Sequence, residues 1–194
     1  MLILTRSRRI RRALRIVRKQ IPTKDWRAIA SFVEWLRCES GWQRAGLMSE
    51  LSKNGGGLFP LYDPNVPPRD QKNPRGQVRF ALPICRLYSD KALIGLVAHE
   101  LAHAVRAARL GAGWYERMDR RYLHEERVAD IMVSRWGLRS QIKAMRQEQR
   151  KTVVPLLYQQ EPHIMQLLYK RVAKDEEAVR ERFSRTLATQ PRQD

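Results

Sequence analysis

Residues 93–105 read L-I-G-L-V-A-H-E-L-A-H-A-V, which sets His99, Glu100 and His103 inside an apolar run with H-E-x-x-H spacing. Four residues of α-helix turn the chain through about 400° and raise it about 6 Å, so His99 and His103 share a face and both imidazoles can reach one metal ion. Two imidazoles with a coordination position left open suit catalytic zinc. Glu100 lies about 100° round from His99, at the edge of that face. There its carboxylate can take a proton from a metal-activated water instead of binding the metal. Hydrogen-bonded core histidines would account for His99 and His103 alone, but a carboxylate in an apolar helix is seldom buried without a partner.

A two-histidine zinc site needs a third protein ligand, and Glu125-Glu126-Arg127-Val128-Ala129-Asp130 offers carboxylates on the next predicted helix. Glu126 is the better candidate. Asp130 follows it by four residues on the same face and can hold a ligand histidine from behind, whereas Glu125 has Ala129 in that place. The small Ala129 also lets the two helices approach closely.

These side chains must be positioned by the rest of the chain. Residues 5–20 place Ile10, Leu14 and Val17 at helical spacing among Arg8, Arg9, Arg11, Arg12, Arg15, Arg18 and Lys19, a basic amphipathic helix that makes up segment 1–21. It could lie on nucleic-acid phosphates, lie on an anionic bilayer, or dock its apolar stripe on the domain. Pro22 stops it, and Thr23 is placed to cap a second helix from Lys24 to about Cys38, with Trp26, Ile29, Ala30, Val33 and Leu36 as its core stripe. Residues 39–76, with Gly55-Gly56-Gly57 and five prolines, read as a long loop that shapes or covers a cleft. Gln77 to Leu82 alternates as a strand, with extended character continuing from Ile84 to Tyr88, and Pro83 argues for a sheet edge.

Ser89 or Asp90 then caps the histidine helix, which Gly111 and Gly113 end. Tyr115 to Trp136 forms the next helix, with Gly137 as its stop, so residues 77–137 hold the site. Leu138 to Val154 and Pro162 to about Leu187 give two C-terminal helices over 138–188, followed by a polar tail from Gln190. The expectation is one domain over 1–194, α+β and predominantly helical, with a small sheet.

Bulk properties are compatible with that. The 194 residues are 43% hydrophobic, enough for one core. A net charge of +18 favours polyanionic partners, nucleic acid among them, or anionic membranes, but indicates no chemistry. Cys38 and Cys85 form no C-x-x-C pair, so neither a disulfide framework nor a cysteine zinc site is indicated. No apolar run reaches the roughly 18 residues of a transmembrane helix, and no secretory signal opens the chain, so a cytoplasmic location is expected. The acid-free, arginine-rich start also fits an organellar transit peptide, except that it is poor in serine. Charge and composition leave the oligomeric state open.

H-E-L-A-H-A-V followed by E-x-x-A-D resembles the gluzincin branch of the zincin metallopeptidases, and especially its small minigluzincin members, over roughly residues 79–136. The resemblance implies a zincin-like domain in which His99, His103 and Glu126 bind Zn2+ and Glu100 is general base for peptide-bond hydrolysis. It also implies that Asp130 accepts a hydrogen bond from a ligand histidine, His99. By the same resemblance the strand around Arg79, Phe80 and Ala81 is an edge strand bordering the cleft, where it pairs with an extended protein or peptide substrate. Related peptidases stabilise the oxyanion with a histidine or tyrosine, and Tyr115, Tyr122, His124 and His163 are the candidates here. The competing class is a nucleic-acid-associated or regulatory protein whose zinc is structural or non-catalytic.

Overall fold

The computed structural model describes residues 1–39, 56–61, 75–111 and 113–153. In chain order these form β1 (Leu2–Leu4), α1 (Arg8–Gln20), α2 (Thr23–Phe32), β2 (Val33–Glu39), β3 (Gly56–Leu61) and β4 (Arg75–Ala81). There follow α3 (Leu82–Cys85), α4 (Asp90–Leu110), α5 (Gly113–Arg120), α6 (Tyr122–Val133), a wide turn over Ser134–Leu138, α7 (Arg139–Glu148) and a second wide turn over Gln149–Val153. The described residues are mostly helical beside a four-stranded mixed sheet, an α+β arrangement. None of their helices is long and apolar enough to cross a membrane.

The histidine helix, α4, is the axis of packing. Ser89 caps it by accepting from the Ala92 amide, and is itself fixed by Glu148 through contacts of 2.8 Å and 2.6 Å. Gly111 ends it with φ at 60°, a conformation a side chain would oppose. Between Ala92 and Ala107 nearly every residue is buried, as expected of a helix enclosed on all sides. α1, α2, α6 and α7 all pack on it. The approach of α7 is so close that a β-carbon at Gly95 would lie 2.3 Å from the carbonyl oxygen of Gln141.

α1 forms because Ser7 caps it and because Ile10, Ala13, Leu14 and Val17 fall on one stripe. That stripe is buried against the body of the domain, so the docking alternative describes its apolar face. Asp25 in α2 is a second tether, pairing with Arg109 of α4 and accepting from Trp136 Nε1 at 2.9 Å.

Five sequence expectations need correction. The second helix ends at Phe32, and Val33–Glu39 is the strand β2; Val33 and Leu36 keep the helical spacing, but pairing with β1 and β4, with a register irregularity between Val33 and Trp35, decides for the sheet. Segment 39–76 is not all loop, since Gly56–Leu61 is β3 and β4 begins at Arg75. Ile84 is not extended but belongs to α3, where Pro83 occupies the first turn and its missing N–H costs no hydrogen bond.

The fourth concerns Arg79, Phe80 and Ala81, which do not lie on an edge strand. The sheet order is β1-β2-β4-β3, with β4 parallel to β2 on one side and antiparallel to β3 on the other. Arg79 pairs with Arg37 and Gly57, and Phe80 with Cys38 and Gly56, so their main-chain groups serve the sheet. Phe80 and Ala81 are fully buried core. Among the described strands the edges are β1 and β3, and an edge place suits Pro60, which has no N–H.

The continuous helix expected from Tyr115 to Trp136 breaks at Arg121 into α5 and α6. Gly137, with φ at 81°, separates α6 and its wide turn from α7. The second C-terminal helix and the polar tail lie outside the described residues.

Candidate metal centre

α4 presents two imidazoles one turn apart, with His99 Nε2 and His103 Nε2 separated by 3.0 Å and the rings nearly perpendicular at 86°. α6, running beside it, brings up Glu126. Its Oε1 lies 3.1 Å from His103 Nε2 and its Oε2 3.3 Å from His99 Nε2. With zinc–ligand bonds of about 2.0–2.1 Å, one edge of a tetrahedron measures about 3.3 Å. The two Nε2 atoms lie close to one such edge apart with one Glu126 oxygen near each, so a single ion could draw on both imidazoles and a carboxylate oxygen, a donor set that suits zinc.

The surroundings prepare that donor set. Asp130 Oδ1 lies 2.9 Å from His99 Nδ1. A neutral His99 that donates there keeps the Nε2 lone pair for a metal. Arg146, on α7, donates from Nη2 to Glu126 Oε2 at 3.0 Å and to Asp130 Oδ1 at 2.9 Å, and from Nε to Asp130 Oδ2 at 2.9 Å. It holds both carboxylates in place. Trp114 of α5 is buried against His103, with ring centroids 5.7 Å apart. His103 Nδ1 is buried with no hydrogen-bond partner among the described residues, so the ring is oriented by Glu126 at Nε2 and by packing on Trp114.

Glu100 is buried on the same helix, and β3 passes over it so closely that a β-carbon at Gly56 would sit 2.9 Å from Glu100 Cγ. The strand that borders the site is thus β3, not β4. Glu125 turns elsewhere: fully buried, it takes two hydrogen bonds from Arg106, Nε to Oε2 at 3.0 Å and Nη2 to Oε1 at 2.8 Å. Of the oxyanion candidates, His124 is exposed on α6 and Tyr122 half-buried at its first residue. Tyr115 belongs to α5, but its side chain lies outside what is described, as does the whole of His163. Sequence reasoning missed Arg146, Trp114 and Gly56; only the glycine run at 55–57 hinted at a close approach.

The ionisation pattern follows from this crowding. Burial pushes His99 down, but the charge of Glu126 and hydrogen bonds with Asp130 and Glu126 outweigh it and hold its pKa at about 9, against repulsion from Arg146. Burial and the charge on His99 together lower His103, with Glu126 opposing. Glu126, which burial alone would raise, is held well below its usual value by the charge of His99 and by hydrogen bonds with both histidines.

A pH dependence results. In the metal-free protein the His99 proton contributes stability that is complete below its ordinary pKa of 6.5 and is lost as pH rises through about 9. A metal ligand must be a neutral imidazole, so loading removes that proton. Chelator-treated protein is expected to show a melting temperature that falls between about pH 6.5 and 9, while zinc-loaded protein shows no such fall. A level profile for the metal-free protein contradicts the assignment.

If the centre takes up zinc, Asp130→Ala would weaken that binding by about 10- to 100-fold in a competition titration with a chromophoric chelator. It removes the partner of His99 and leaves Arg146 less neutralised beside the cation, so both effects act in one direction. Arg146→Met frees Glu126 to rotate but also removes a repelling charge, two effects that oppose each other. Its loss should be smaller, and equal affinity for wild type and Asp130→Ala would refute the outer-partner role.

Comparison with protein-family models, with curated proteins and with solved structures finds no match for this chain.

Proposed function

We propose that the chain is a zinc-dependent metallopeptidase with a zincin-like domain, acting on protein or peptide substrates. The observation that carries this reading is the convergence of His99, His103 and Glu126 at 3.0–3.3 Å, with a further carboxylate, Glu100, on the same helix and a sheet edge beside it. His99, His103 and Glu126 would hold the ion, with Asp130 and Arg146 fixing His99 and Glu126. A bound zinc supplies Lewis acidity that lowers the pKa of a coordinated water and polarises a peptide carbonyl. Glu100 would be the general base, accepting a proton from the attacking water and returning it to the departing amine. The edge of β3 offers main-chain groups to an extended substrate.

The burial of His99, at 0% exposure, and of His103, at 3%, favours a second reading in which the metal is structural. One experiment separates the two. Metal analysis of the purified protein is combined with a comparison of cleaved proteins in cells carrying wild type or Glu100→Gln. Zinc in both, with cleavage products only in the wild type, supports the peptidase; zinc in both with identical products supports the structural site.

A further inference from the structure

Half of the net charge of +18 sits in the first 32 residues, where ten arginines and lysines face the single carboxylate of Asp25. The fold concentrates it further. Because α1 buries Ile10, Ala13, Leu14 and Val17, it must turn Arg11, Arg12, Arg15, Arg18 and Lys19 outward, and all five are exposed. They line a groove of about 770 Å³ together with Ile3 and Thr5 near β1 and Trp26 of α2.

Neutralisation within the protein is slight. Asp90 pairs with Arg9 at 2.8 Å and only reaches Arg12 at 3.7 Å. Among the described residues no carboxylate pairs with Arg11, Arg15, Arg18 or Lys19. Asp25 is engaged with Arg109 and Trp136 instead. Within the groove the Arg18 guanidinium lies 4.3 Å above the Trp26 ring, a flat cation–π pair.

The shape distinguishes between polyanions. An interfacial helix needs its apolar face free for lipid, and that of α1 is spent on the core. A row of cations along about 12 Å of helix axis, bordering a concavity with an aromatic surface, instead has the two components used for single strands: charge to track phosphates and a planar group for bases to stack on. We propose that the groove between α1, β1 and Trp26 binds single-stranded nucleic acid, with phosphates on Arg11, Arg15, Arg18 and Lys19 and a base against the Arg18–Trp26 pair. Nothing in this depends on the metal centre or its activity. Leu2, Ile3 and Leu4 are exposed on β1 beside the groove, so a lipid surface is the alternative that the test includes.

The test is fluorescence anisotropy of the full chain with a short labelled oligothymidine and oligouridine, beside a duplex of the same length and a flotation assay with phosphatidylserine-containing vesicles. Titrations run from about 50 to 200 mM salt, the range over which phosphate contacts are diagnostic. The expected result is single-strand binding that weakens with salt and exceeds binding to the duplex and to vesicles. Arg11→Gln, Arg15→Gln and Arg18→Gln combined should reduce affinity at least about ten-fold and flatten the log–log salt slope by about 2, at about 0.7 per phosphate. Trp26→Ala should lower affinity at least about five-fold, with Trp26→Phe retaining most of it. Because Trp26 also packs on the core, the arginine variant, altered only at exposed positions, decides if Trp26→Ala does not fold. Tighter binding to vesicles or to duplex, no binding near 150 mM salt, or wild-type affinity in the arginine variant each overturns the proposal.

Discussion

On the proposed peptidase reading, Glu100→Gln would lower turnover by about 10²- to 10⁴-fold, the usual contribution of a positioned acid–base group, and leave any bound zinc in place. The size follows from what the substitution removes. Glutamine fills the space that glutamate fills under β3, where a β-carbon at Gly56 would already lie 2.9 Å from Glu100 Cγ, so the packing of the strand over the helix survives. The ligands His99, His103 and Glu126 are untouched. What is lost is a carboxylate able to accept a proton, so kcat falls while KM moves little. Steady-state kinetics on a cleaved peptide, with metal content measured on the same sample, checks this. Turnover within a few-fold of wild type would rule out Glu100 as the base.

Arg106→Met is expected to destabilise the protein by about 3–5 kcal/mol, the cost of leaving a buried charge without its partner. Glu125 is fully buried on α6, and Arg106 of α4 supplies both of its hydrogen bonds in a bidentate pair. Glu125→Gln should cost less, because a neutral amide carries a smaller desolvation penalty. Combining Arg106→Met with Glu125→Leu should recover most of the loss, since replacing a buried pair by apolar groups of similar volume is often near neutral. Urea denaturation of wild type and the three variants measures these differences. An Arg106→Met variant within about 1 kcal/mol of wild type would mean that water reaches Glu125 and the pair is not truly buried.

The candidate site was largely legible because its parts are local. His99, Glu100 and His103 occupy one turn of one helix, and Glu126 with Asp130 another, so the 3.6-residue period alone aligned them. The choice between adjacent glutamates also rested on local spacing, and the structure turns Glu126 to the histidines and Glu125 to Arg106. Arg146 was not legible. It reaches Glu126 and Asp130 from another helix, 20 and 16 residues away, and no short pattern encodes that crossing.

The sheet was the least legible part of the fold. Val33 to Glu39 continues the apolar spacing of α2, and only pairing with two distant strands makes it extended. β4 was recognised as a strand, but its place inside the sheet depends on β3, whose Gly56, Gly57 and Pro60 read as loop residues. Strand order is a property of the assembled sheet, and sequence alternation is silent about which neighbours lie on each side.

Gly95 gives the candidate metal centre a spacer. It lies one turn before His99 on α4, and the Gln141 backbone it meets lies five residues before Arg146 on α7. The gap between these two backbones therefore sets how far the guanidinium can extend toward Glu126 and Asp130. A methyl group at position 95 would act as a shim between the helices, tilting or lifting α7 and drawing the arginine away from its two carboxylates. The affinity of the centre could thus be adjusted from a residue that touches neither the ion nor any of its ligands, and drift at this position would detune the site while every recognisable site residue stayed in the sequence.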